Sequence, residues 1–168
     1  MTASIVRSTG AFAPHGTIDP RETIHLSGLE FFQAIFDGKI PPPPIGKTLN
    51  FWPLEFEHGR AVFEGQPTRD FYNPIGSIHG GYAAALLDSA MSCAVHTTLG
   101  AGFAYTTLEY KINLTRGMSD KTGRIRAEGK ILQVGKRIGT AEGKITDAQG
   151  RVLAHGTTTC LIFEAAQP

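Results

Sequence analysis

Asp88 is the only Asp, Glu, Lys or Arg among the 38 residues that separate Asp70 from Glu109. Aspartate is a poor helix former, and a carboxylate taken out of water without a cation beside it is costly, so its place in an apolar stretch needs a reason. Burial would raise its pKa, which suits a general base or a nucleophile. Asp88, Ser92 and His96 recur at every fourth position, and the bland reading is an ordinary wet helix face. Such faces usually carry Lys and Glu, so catalysis is the preferred reading.

The second candidate is the run from Asn73 through Pro74, Gly76, His79, Gly80 and Gly81, which leads straight into the same helix. Glycines let a ligand approach the backbone, and the unpaired N–H groups of a first helical turn can hold developing negative charge. Thioester hydrolysis needs that. A glycine pair more often only closes a loop, and His79 reads first as a cap or core histidine and second as an orienting donor. His-Gly-Gly also occurs in the oxyanion loops of α/β-hydrolases, but that reading and its serine nucleophile are set aside because no G-x-S-x-G elbow exists. The six histidines form no metal-ligand spacing, so no metal is expected.

These residues need elements to position them. Ser27 caps a short amphipathic helix carrying Leu29, Phe32, Ile35 and Phe36, and Pro41 to Pro44 make an extended spacer. Strands are expected over 48–57 and 60–65, joined at His58-Gly59. The long helix follows, with Ala83, Leu87, Met91, Val95 and Leu99 at steps of four and Gly100 as its stop. Four β segments close the chain over 103–115, 122–134, 138–147 and 152–163. In the first, Leu108, Tyr110, Ile112 and Leu114 should face one side, with Thr107, Glu109, Lys111 and Asn113 on the other. Ala-x-Gly recurs in the last three, at Ala127/Gly129, Ala141/Gly143 and Ala154/Gly156. Pairing Glu128 with Glu142, and Glu142 with His155, would align these into a band of small residues where a helix backbone can come close.

The sum is α+β: an antiparallel sheet wrapped around one long helix, in a single domain over 48–165. Residues 27–47 form the short helix and Pro-rich spacer, and residues 1–26 read as a mobile arm. With 168 residues and a formal charge of +1, there is one core and no field to gather nucleic acid or an anionic membrane. Cys93 and Cys160 read as small core residues, and the absence of an apolar leader suggests the cytoplasm.

The pattern Asn73-x2-Gly76-x2-His79-Gly80-Gly81-x6-Asp88, with Thr107-x-Glu109 opening the next strand, resembles the hotdog thioesterases of the phenylacetate-pathway and human thioesterase-superfamily type. The resemblance spans about Phe51 to Phe163 and leaves out the first forty or so residues. It implies that Asp88 activates water or attacks the thioester carbonyl and that the Gly80 amide forms the oxyanion hole. Asn73 and His79 would position the thioester or its loop, and Thr107 would orient the water. It also implies a site shared between subunits, Asp88 and Thr107 from one and Asn73 and Gly80 from the other, in a homodimer at least, with a dimer of dimers left open. Acyl-CoA is the expected substrate, and no cofactor is needed beyond the CoA it carries. Its phosphates would meet Gly135, Lys136 and Arg137, with Arg116 and Lys121 behind them, unless these are plain solvated charges. Gly81 would lie against substrate, and Phe71, Tyr72 and Ile78 would line the acyl pocket. The alternatives are an acyl-CoA sensor without catalysis, a structural oligomer and, ranked lower, a hydratase or dehydratase, whose Asp-x4-His pattern is missing at both Asp70 and Asp88.

Overall fold

The structure, a computed structural model, describes residues 4–6 and 13–165. Seven strands form one antiparallel sheet: β1 (Ile5–Val6), β2 (Phe51–Glu57), β3 (Arg60–Gly65), β4 (Phe103–Leu114), β5 (Ile125–Val134), β6 (Ile138–Asp147) and β7 (Val152–Glu164). Their order across the sheet is β1-β2-β3-β5-β6-β7-β4, so β4 is an edge. Among the described residues three α-helices accompany it, α1 (Gly28–Phe36), α2 (Pro44–Thr48) and α3 (Gly80–His96), with two short 3-10 turns at Pro20–Glu22 and Arg69–Phe71. The 17-residue α3 lies on one face of the sheet, as the apolar periodicity requires, and Leu86, Leu87 and Met91 are fully buried there. Each contributes about 2–3 kcal/mol of transfer free energy. Part of the opposite face is charged, with Arg60 paired to Glu55, Glu57 and Glu128.

The band of small residues exists, in a register two residues away from the expected one. Glu128 lies opposite Lys144 instead of Glu142, and Glu142 lies opposite Thr157 instead of His155. Gly129, Gly143 and Gly156 consequently stand side by side on three strands. The β5–β6 turn is centred between Lys136 and Arg137, as Val134 opposite Gly139 shows, and not on Gly135; the bulge between Ile131 and Gln133 takes back only one residue of that offset. The helix uses this trough. A Cβ added to Gly129 would lie 2.2 Å from the Ala90 carbonyl oxygen, and one on Gly143 would lie 2.7 Å from Met91 Cγ.

A second bulge corrects β4. It falls between Thr107 and Glu109, so Thr107 shares the helix-facing side with Tyr110, Ile112 and Leu114 instead of opposing them. The β7 residues across from these four are Cys160, Thr158, Gly156 and Ala154, all buried. Two ends also move. Pro44 starts α2, so β2 begins at Phe51 and not Thr48. The helix α3 stops at His96, before Gly100, because the Thr97 and Thr98 hydroxyls donate to the Ala94 and Val95 carbonyls at 2.7 Å each.

The capping box of Ser27 and Glu30 opens α1 as expected. The segment read as a mobile arm packs on the body where it is described. Strand β1 pairs with β2, the Gly16 N–H donates to the Pro42 carbonyl at 3.0 Å, and the Ile24 carbonyl accepts from the Gly102 N–H at 2.8 Å. The rest of that expectation, over 1–3 and 7–12, lies outside the described residues. No helix among the described residues is long and apolar enough to cross a membrane.

Replacing Gly129 with Ala should destabilise the fold by about 2–4 kcal/mol, since backbone and not a movable side chain meets the new methyl. Chemical denaturation checks this, with Gly150→Ala, which meets no neighbour, reporting the cost of a left-handed turn alone.

Candidate active site

The geometry centres on mid-helix Asp88. The bulge in β4 turns Thr107 inward, and its hydroxyl donates to Asp88 Oδ1 at 3.0 Å. Asp88 is half-buried and has no cationic partner among the described residues. Burial pushes its carboxyl above the ordinary range, and the Thr107 hydrogen bond pulls it part of the way back. The group is therefore a stronger base than a solvated aspartate.

Asp88 and Thr107 lie on a cavity of about 710 Å³, within the roughly 300–1,000 Å³ of small-molecule sites. Its lining runs along the same helix face to Ser92 and His96, so that face is turned inward. Phe31, Phe32, Phe56, Phe63 and Tyr105 give the cavity an apolar wall. The His96 imidazole meets the rings of Phe31, Phe32 and Tyr105 at 5.2, 5.1 and 5.1 Å, and desolvation lowers its pKa to about 4. It is neutral at pH 7.

The glycine loop is built separately. Asn73 accepts hydrogen bonds from the N–H groups of Ile75 and Ser77 at 3.1 and 3.2 Å and donates to Ser77 Oγ at 2.9 Å. It is the organiser of its own turn. His79 is the N-cap of α3, its Nδ1 accepting from the Gly81 N–H at 2.9 Å. The Gly81 amide is thereby occupied. Gly80, at the first helical position, has no intrahelical acceptor for its N–H.

None of Asn73, His79, Gly80 or Gly81 lines the cavity that holds Asp88. Eight residues of helix place Gly80 about 12 Å from Asp88 along the axis, so one chain cannot offer both groups to one carbonyl. Phe71 and Tyr72 do not line that cavity either. Phe71 stacks on Tyr82 at 4.9 Å, and the Tyr72 hydroxyl donates to Asp120 at 2.6 Å. Ile78 is buried, and its N–H donates to the Met118 carbonyl at 3.0 Å. Gly135, Lys136 and Arg137 are exposed at the β5–β6 turn. Arg116 and Lys121 do not stand behind them: they precede β5, whose ten residues span roughly 33 Å, and lie at its other end.

The sequence reading missed the contribution of the N-terminal region. Gly16 to Ile18, α1, Ile40, Pro41 and Pro43 supply much of the cavity wall. Phe32 and Ile35 belong to the apolar face that the sequence marks in α1, but Phe31 lies outside that pattern and nothing in the spacing says what the face covers.

Residues 75–154 match the family model of the thioesterase superfamily. The chain is 26% identical to 1,4-dihydroxy-2-naphthoyl-CoA hydrolase of Listeria monocytogenes over 69% of this chain and 93% of that one. A candidate esterase of Saccharolobus solfataricus is 31% identical over 64% of this chain and 75% of that one. Among solved structures, a phenylacetic acid degradation-related protein from Ralstonia eutropha, described as a candidate thioesterase, superposes with a TM-score of 0.71 at 25% identity, covering 78% of this chain and 98% of that one. The matched region contains Asp88, Thr107 and the Gly80–Gly81 helix start, and the chain belongs to the thioesterase superfamily, with its hotdog fold.

Proposed function

We propose that this protein hydrolyses acyl-CoA thioesters to the free acid and CoA, with Asp88 as the catalytic carboxylate. The carrying observation is that carboxylate: half-buried, unpaired by any cation among the described residues, oriented by Thr107 and facing an apolar cavity, in a chain of thioesterase descent. As general base, Asp88 takes a proton from a water that Thr107 helps to place. The hydroxide equivalent attacks the thioester carbonyl, and the tetrahedral oxyanion collapses by expelling CoA as the thiolate, which is then protonated. As nucleophile, Asp88 would instead form a mixed anhydride that water opens.

The oxyanion needs an N–H donor about 3 Å away, and the chain's own Gly80 amide is too distant. A second copy related by a twofold axis, its α3 antiparallel to the first, would bring the Gly80 amide of that copy beside Asp88. Edge strand β4 supports such an arrangement. Tyr110 and Leu114 lie on its helix-facing side yet are 46% and 59% exposed, as side chains awaiting a cover would be. Asn73 and His79 then act by fixing the loop that presents Gly80. Gly135, Lys136 and Arg137 are the surface offered to the CoA phosphates.

Purified protein should release CoA thiol from members of an acyl-CoA panel, followed with a thiol reagent. Asp88→Asn should lower kcat about 10²–10⁴-fold with folding and oligomer mass intact. Tight acyl-CoA binding without turnover would favour the sensor reading in its place.

The raised carboxyl also fixes the sign of two pH effects. Activity should fall on acidification at a pH above the ordinary carboxylate value of about 4, and Thr107→Val, removing the donor, should move that limb higher still. Because the folded pKa exceeds the unfolded one, the stabilising contribution of Asp88 is complete below the unfolded value and is lost as pH rises through the folded one. Asp88→Asn should therefore melt above wild type at pH 8 and with it near pH 3.

A further inference from the structure

The cavity has a direction. It starts at Asp88 and Thr107, where the thioester carbonyl must sit under the proposed function, and follows one face of α3 past Ser92 to His96. Eight residues of helix make this about 12 Å. At the far end the rings of Phe31 and Phe32 lie against His96, and Phe32 is itself stacked on Phe56 at 3.8 Å with 10° between the planes. Both belong to α1, which precedes the residues that match the family model.

α1 is held there by backbone. The Gly28 N–H donates to the Leu99 carbonyl at 3.0 Å, and a Cβ on Gly28 would lie 1.8 Å from the His96 carbonyl oxygen. Glycine is required by that approach. The start of α1 is thus fastened to the end of α3, and the wall cannot withdraw without breaking the contact.

We infer that α1 is the acyl-length ruler of this enzyme: Phe31 and Phe32 form the end wall of a pocket for uncharged, apolar acyl groups of up to about nine carbons. The length follows from a zigzag chain advancing roughly 1.3 Å per carbon along the 12 Å available. The absence of charge follows from the lining, which among the described residues contains no Lys or Arg and whose one histidine, His96, is kept neutral by burial, so a terminal carboxylate on the acyl group would be desolvated with no cation to meet it. The inference rests on the thioesterase reading, and its test separates the two.

Straight-chain acyl-CoAs from acetyl to palmitoyl, with succinyl-CoA beside butyryl-CoA, are compared by kcat/KM. Wild type should peak at or below about ten carbons, fall at least tenfold by fourteen, and prefer butyryl- to succinyl-CoA by at least tenfold. Phe32→Ala should raise the ratio of dodecanoyl to butyryl turnover at least tenfold. Phe31→Ala, at a less buried position, should shift it in the same direction and covers the case in which the Phe32 variant does not fold. Equal turnover of octanoyl- and palmitoyl-CoA by wild type, or an unchanged ratio in a folded variant, overturns the ruler. If no acyl-CoA is hydrolysed, the thioesterase reading fails by itself, and the same series read as calorimetric affinity still decides whether α1 limits length.

Discussion

A carboxylate can be kept reactive at neutral pH only if its surroundings neither solvate it fully nor neutralise it with a cation, and the arrangement about Asp88 meets both conditions. The helix that carries it is covered by the sheet on one side and by α1 and the proline strap on the other, which leaves the Asp88–Ser92–His96 face inside a cavity. One hydroxyl, that of Thr107, meets the carboxylate, and a neutral imidazole lies farther along. An arginine in this lining would hold Asp88 at low pKa and spoil it as a base. The 38-residue stretch with a single charge is the sequence trace of that requirement.

Close approach of helix and sheet is the mechanical counterpart. The helix reaches the strands only because Gly129 and Gly143 have no side chains to hold it off. Residues that touch no substrate therefore place the helix that carries Asp88. The β4 bulge acts in the same way, since without it a regular strand would put the residues beyond Thr107 out of phase with those that cover α3.

Much of this was legible in the sequence, for identifiable reasons. Periodicity marked α3, isolation marked Asp88, and the Asn73–Gly81 pattern marked the helix start. What escaped has a common character. A bulge adds one residue to a strand without any change in composition, so the facing of Thr107 could not be counted out, and the register about Gly143 was lost because the β5–β6 turn falls on Lys136-Arg137 and not on the glycine before them. The cavity wall from residues 16–18 and α1 depends on contacts between segments more than forty residues apart, such as Phe31 with His96, and non-periodic chain such as 13–26 carries no signal for them. The reach between Gly80 and Asp88, by contrast, is plain helix geometry and follows from their numbers alone.

That last distance makes the account depend on a second copy of the chain, and a mixed oligomer tests it directly. Gly80→Pro removes the proposed donor at a helix position whose backbone tolerates proline, after a His79 already extended at φ −60° and ψ 136°, and its new Cβ meets only the movable end of the Leu114 side chain, at 2.7 Å. Alone, it and Asp88→Asn should each be nearly inactive. Dimers reassembled from equal amounts of the two should recover up to about a quarter of wild-type turnover, because half are hybrids with one intact site out of two. Recovery at that level is the predicted result; hybrids that form, as judged by differential tagging, yet stay as inactive as their parents would contradict a site shared between subunits.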